Sequence, residues 1–259
     1  QQALELHRQG LWDKAIALYQ VYLKLSPNDA GLWSNLGAAL RKQKHYLSAL
    51  CCYQRALDIE PEQAIALGNM ANVLKDLHRL DEALNIHQQL VSDNPDDTNL
   101  RMNIACALRE SGQFEEALKH LDVAQQQKPD DAGIEWERAQ NLLYLGYYKQ
   151  GWQAFEARWR TGDLPKREFP YPQWQGEDLN GKRLLLHTEQ GIGDTILAAR
   201  CIPLLTAQGA EVVLQCKQAL HRLLQNCGAD QLLLSPEANS HTTEAPANEY
   251  FDYHCPLMS

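Results

Sequence analysis

Over the first 160 residues the apolar positions recur with helical spacing inside a longer beat. Pro27, Pro61, Pro95 and Pro129 stand 34 residues apart, and Ala15, Ala49, Ala83 and Ala117 keep the same interval, each following a polar residue. Tyr19, Tyr53 and Phe155 share one bulky position of that beat, and Trp33, Leu36 and Gly37 form a W-x-x-L-G run. A proline just past a helix cannot continue it. Of the residues after each proline, Asn28-Asp29, Glu62, Asp96-Asp97 and Asp130-Asp131, most suit capping of the next helix by side-chain oxygens and a favourable dipole. Each period therefore predicts helix, tight turn, helix, with the small alanine where the two helices cross closely. Such a hairpin cannot bury its apolar face alone. Stacked neighbours must cover it, and the array is expected to wind into a superhelix with a concave inner surface.

The pattern predicts about four repeats plus a modified end repeat over residues 1–160. The fifth begins at Ala132 with Gly146 at its turn, but Gly151-Trp152 replaces the alanine. Gln1 falls inside a first helix, so the chain is expected to be a piece of a longer one. After Trp159-Arg160 the helical beat stops. Residues 161–181 carry Gly162, Pro165, Pro170, Pro172, Gly176 and Gly181 and read as a linker or docking arm. Beyond them a short apolar run at 183–187, a helix at 196–201, a strand at 211–215, a helix at 219–224 and a strand at 231–234 alternate. That alternation predicts a partial α/β, Rossmann-like domain over 182–259, with ligands at the strand C-termini. Residues 253–257 read as the entry to a further strand and loop.

Two ladders share the solenoid's period. Asn35, Asn69 and Asn103 hold the sixth position of repeats two, three and four, and Arg41, Lys75 and Arg109 follow six residues later. Six residues is nearly two helical turns, so both ladders lie on one broad face. An asparagine amide both donates and accepts, which suits gripping an extended peptide by its backbone. Neighbouring cations favour carboxylates on that peptide. The alternative for either ladder is a solvated face repeated by duplication, although asparagine is a poor helix-interior residue. In the fifth repeat Glu137 and Leu143 replace the two residues.

Thirty-three acidic against 24 basic residues give a net charge of −9, which opposes general binding of nucleic acid. No run approaches the roughly 18 apolar residues of a membrane span, so a protein without a membrane span and a cytoplasmic location are expected. Seven scattered cysteines, Cys51, Cys52, Cys106, Cys201, Cys216, Cys227 and Cys255, form neither a disulfide framework nor a metal motif, and a reducing compartment is the simpler reading. Adjacent His254 and Cys255 point to opposite faces of a strand and make no site together.

The period and the Trp33, Leu36, Gly37 run resemble the tetratricopeptide repeat, and imply a protein or peptide partner in the concave groove. Over repeats two to four the asparagine ladder resembles that of O-linked N-acetylglucosamine transferase, whose ladder holds substrate backbones. The turn Glu189-Gln190-Gly191-Ile192-Gly193-Asp194 fails the G-x-G-x-x-G fingerprint at Ile196 and has no Walker motif. It resembles the start of glycosyltransferases of the ADP-heptose heptosyltransferase type, of GT-B architecture. The run from Gly151-Trp152 through Phe155-Glu156, Arg158-Trp159, Pro172, Trp174 and Gly176 to Asp194 is similar to bacterial proteins that fuse such repeats to such a domain. The resemblance implies Asp194 as general base for an acceptor hydroxyl, with Glu189, Gln190, Gly191 and Gly193 forming an acceptor or phosphate loop. Asp194 equally suits capping of the next helix. It implies a sugar nucleotide for a longer parent and no cofactor here, since no second nucleotide-binding domain fits after Lys182. The chain itself is then a peptide-binding solenoid joined to the acceptor half of a transferase, catalytically incomplete. The rival is a pure scaffold with an inactive Rossmann-like cap.

Overall fold

A computed structural model describes residues 2–162, 164, 167–189, 191–235 and 249–259, in two compact units that divide between Phe155 and Glu156. The first unit is five antiparallel helical hairpins. In order they are α1 (Gln2–Arg8) with α2 (Trp12–Leu25), α3 (Ala30–Lys42) with α4 (Tyr46–Ile59), α5 (Ala64–Asp76) with α6 (Leu80–Asp93), α7 (Thr98–Glu110) with α8 (Phe114–Gln127), and α9 (Ala132–Tyr144) with α10 (Tyr148–Phe155). Each helix packs on its successor. The first helices of neighbouring hairpins α3, α5, α7 and α9 also pack on one another.

Three of the expected caps form. Asp29 accepts from the Leu32 N–H, Asp97 from Asn99 and Leu100, and Asp131 from Gly133 and Ile134. In the third repeat Glu62 makes no cap; Gln63 holds the N-cap place, and its side chain bonds Glu60 instead. Within every hairpin the chain turns through the left-handed region at the same beat: Gly10, Lys44, His78, Gly112 and Gly146, with φ between 58° and 83°. Two of the five are not glycine and bear the Cβ strain of that region.

The alanines of the beat, Ala15, Ala49, Ala83 and Ala117, have no exposed surface. The bulky position holds Tyr19, Tyr53, His87, Leu121 and Phe155, all buried. Gly37 makes room for one of them, since a Cβ there would lie 2.9 Å from the Tyr53 ring. Gly151 breaks the alanine beat for a similar reason. Leu143 stands where Arg41, Lys75 and Arg109 stand in earlier repeats, and a Cβ on Gly151 would lie 2.7 Å from its Cδ2.

The second unit, Glu156–Ser259, opens on a 3₁₀ turn (Glu156–Trp159) and contains, among the described residues, four parallel strands. These are β1 (Arg183–His187), β2 (Glu211–Cys216), β3 (Gln231–Leu234) and β4 (Tyr253–Pro256), in the order β3-β2-β1-β4. α11 (Ile192–Ala199), α12 (Ile202–Thr206) and α13 (Gln218–Leu224) join them. All three helices pack on one face through Ala199, Ile202, Leu220 and Leu224, against Leu184, Leu186, Val212 and Leu214. The other face, with Leu185, Val213 and Leu233, is covered by Phe169, Tyr171 and Phe251. A doubly wound sheet carries helices on both faces; among the described residues this one carries them on one.

The segment read as a linker or docking arm is therefore part of the second unit. Gln173 bridges His254 in parallel, Trp174 N–H donates to the His254 carbonyl at 2.8 Å, and His254 N–H donates to the Pro172 carbonyl at 3.0 Å. The arm thus lies along the edge of β4 that β1 leaves free. Residues 156–160, expected with the solenoid, also belong here, because Arg158 is buried within this unit.

Candidate functional site

Asn35, Asn69 and Asn103 sit at matching positions on α3, α5 and α7, half-buried. Among the described residues their side-chain amides take no hydrogen-bond partner. A free amide on a half-buried helical surface keeps its donors and acceptor available.

The basic ladder is engaged. Arg41 Nε donates to Asp76 Oδ2 at 2.6 Å and its Nη2 to Oδ1 at 3.3 Å. Lys75 Nζ meets Glu110 Oε1 at 2.9 Å, and Arg109 Nε meets Glu137 Oε2 at 3.3 Å. The first two pairs tie the end of one first helix to the end of the next. The third cannot repeat this, because Tyr144 stands where Asp76 and Glu110 stand and instead stacks on Phe114 with centroids 4.8 Å apart. Glu137, at the asparagine position of the fifth repeat, supplies the carboxylate. These cations are thus ties between repeats rather than open charges. The sequence reading missed Asp76 and Glu110, although they too are 34 residues apart. Cys106 lies near Glu137, Lys75 and Arg109, and burial pushes its thiol up to about 12, which keeps it protonated near neutral pH.

In the second unit the helix after β1 starts earlier than the expected residue 196. Gly191 is its N-cap, so Gly193 and Asp194 lie in its first turn. Asp194 Oδ2 accepts from the Gly191 N–H at 3.1 Å, the helix-capping contact. Gly193 is exposed, with open space around a Cβ position. Gln190 lies outside the described residues. The Glu189 side chain is 3% exposed and committed: it accepts from Arg158 Nη2 at 3.2 Å and from the Leu257 and Met258 N–H groups at 3.1 and 3.3 Å. Burial raises its pKa, opposed by the Arg158 charge and these donors. Glu189 therefore fastens the end of β4 to the loop after β1.

The sequence reading also missed a pair of histidines on the arm-covered face. His187 Nε2 lies 3.3 Å from His254 Nδ1, and Phe169 lies against both rings, tilted by 36° to each. No sequence signal marks them, because the neighbouring places of β1 and β4 follow from strand order alone. His254 and Cys255 do face opposite ways, Cys255 into the helix-covered core.

Models of the tetratricopeptide repeat match residues 1–65, 40–102 and 76–143. A stretch of 72 residues is 42% identical to Protein FlbA of Caulobacter vibrioides; it is 27% of this chain and only 12% of that protein's length. Among solved structures, MamA 41-end from Desulfovibrio magneticus RS-1 superposes with a TM-score of 0.54 over 62% of this chain and 93% of that one, at 18% identity. A MamA RS-1 double mutant gives 0.53 over 62% and 92%, also at 18%. At that identity the likeness is one of fold.

Proposed function

Because residues 1–143 are tetratricopeptide repeats, we propose that their first-helix face holds an extended segment of another protein by its backbone. The observation that carries this reading is the row of Asn35, Asn69 and Asn103, whose amides have no partner among the described residues. The packing of first helices on one another supports it, since the side where successive helices meet is the inner side of the curve. The engaged cations of Arg41, Lys75 and Arg109 change the expected partner. A groove whose charges are already paired selects no acidic peptide, and takes an internal, uncharged stretch instead. The seven free thiols suit a reducing, cytoplasmic setting.

The test uses peptides selected from an unbiased library on the wild-type chain. Alanine at Asn35, Asn69 and Asn103 together is expected to weaken them by tenfold or more, about 1.4 kcal/mol, with thermal stability kept. Unchanged affinity sinks the reading.

A second reading, that the chain carries the acceptor side of a glycosyltransferase-like, Rossmann-like domain, has the parallel order β3-β2-β1-β4 in its favour. Asp194 then releases Gly191 to act as base beside Gly193, and a longer parent supplies the sugar-nucleotide site. Turnover of a sugar-nucleotide panel by such a parent, lost on Asp194→Asn, supports it. No turnover and no sugar-nucleotide binding leaves the repeats as the function.

A further inference from the structure

We propose that Arg167, together with the His187–His254 pair, forms a binding site in the second unit for an oxyanion, the phosphate or carboxylate group of a small ligand. The groups converge on the sheet face that carries no helix among the described residues. His187 closes β1, and Gln215 stands opposite it in β2. Arg167 Nη2 donates to Gln215 Oε1 at 2.7 Å, and its guanidinium lies 5.2 Å from the Phe169 ring. Phe169 in turn packs in tilted contact against His187 and His254, at 4.6 and 4.7 Å between centroids.

Two features of this cluster call for a ligand. Arg167 is half-buried and, among the described residues, has no acidic partner; a desolvated charge without a counter-charge is costly. His187 is 2% exposed, and its Nδ1 has no partner among the described residues. Neither is a cheap accident of packing, since an apolar side chain at either place would avoid the cost. The carboxyl ends of parallel strands are also where open α/β sheets place their ligands.

The sign of the charge selects the ligand. A metal cation beside the histidines would add to the Arg167 charge in the same desolvated place, whereas an oxyanion neutralises it. The planar guanidinium offers parallel donors to two oxygens, and Nη2 is the one nitrogen held by Gln215. An anion there also removes the repulsion that opposes a proton on the histidine pair. Burial first, then the charges of Arg167 and His254, hold His187 down to about 3, so a bound anion shifts its titration upward.

The test is a histidine-ring NMR titration of the whole chain with inorganic phosphate, against chloride at matched ionic strength, with acetate as a separate arm. Saturable shifts at His187 and His254 with phosphate, acetate or both, and a raised titration midpoint, are expected. The arm that responds assigns the oxyanion. Arg167→Gln is expected to weaken binding about tenfold, and Lys182→Gln, in a part-buried pair with Asp252, to leave it unchanged. The rings of His7, His87 and His221 report that the fold is intact. Shifts no larger than those with chloride, in the wild type alone, overturn the site, as does equal binding by a folded Arg167→Gln variant.

Discussion

At the scale of single residues, the repeat beat shows what each position demands and what a departure costs. His87 takes a place held elsewhere by Tyr19, Tyr53, Leu121 and Phe155, and neither ring nitrogen has a partner among the described residues. Burial, then the Lys75 charge, lowers its pKa to about 4. The unfolded chain takes up that proton near 6.5, so it binds more protons than the folded one between the two values. Stability from His87 is thus fully present above about pH 6.5 and is lost as pH falls toward 4, by roughly 3 kcal/mol at most. Urea midpoints across that window are expected to fall less steeply in His87→Leu than in wild type; parallel curves would contradict this. In the hairpin turns, Lys44→Gly and His78→Gly are each expected to raise stability by about 1 kcal/mol, measured by thermal melting, because both residues sit where Gly10, Gly112 and Gly146 sit. Gly151→Ala forces a Cβ against Leu143 and is expected to cost about 2 kcal/mol, with Leu143→Ala restoring part of it.

At the scale of elements, the hairpins were legible because their rules are local. A proline stop, an aspartate cap and a buried alanine recur with the chain, so the register could be read without knowing what touches what. The same locality explains the misses. That Arg41 meets Asp76, and Lys75 meets Glu110, depends on one repeat lying beside the next, and both acids look like ordinary surface residues in the sequence. The segment 161–181 looked like a linker because its prolines and glycines exclude helix, yet Phe169, Tyr171 and Trp174 supply the cover and the edge contact that the sheet needs. The helix after β1 was placed too late because Gly191 and Gly193 read as loop, although a glycine N-cap with aspartate at the third helical position starts a helix well. The contacts of Glu189 are illegible for a related reason, since its partners Arg158, Leu257 and Met258 are distant in sequence. Arg158→Met leaves the Glu189 charge buried without its main cation, and is expected to cost about 3 kcal/mol. Hydrogen exchange in β1 and β4 reads that loss, and unchanged protection there would show that Glu189 does not hold those ends.

At the scale of the whole molecule, each unit offers a polar surface of a different kind. The repeats present a row of neutral amides between ion pairs that are already closed. The α/β unit presents a guanidinium with no acidic partner among the described residues, beside a buried pair of histidines. The first suits a polypeptide backbone and the second a small anion, so the two sites are predicted to fill independently, with no competition between peptide and phosphate in a binding titration.

The central claim is that the asparagine row reads backbone rather than side chains, and one comparison tests it most directly. A peptide selected on the wild-type chain is measured beside two derivatives, one with its central side chains cut to alanine and one with its central backbone amides N-methylated. The account predicts that the alanine peptide binds nearly as well while the methylated peptide loses most of its affinity. A methylated peptide that binds as before, with the alanine peptide lost, would contradict it.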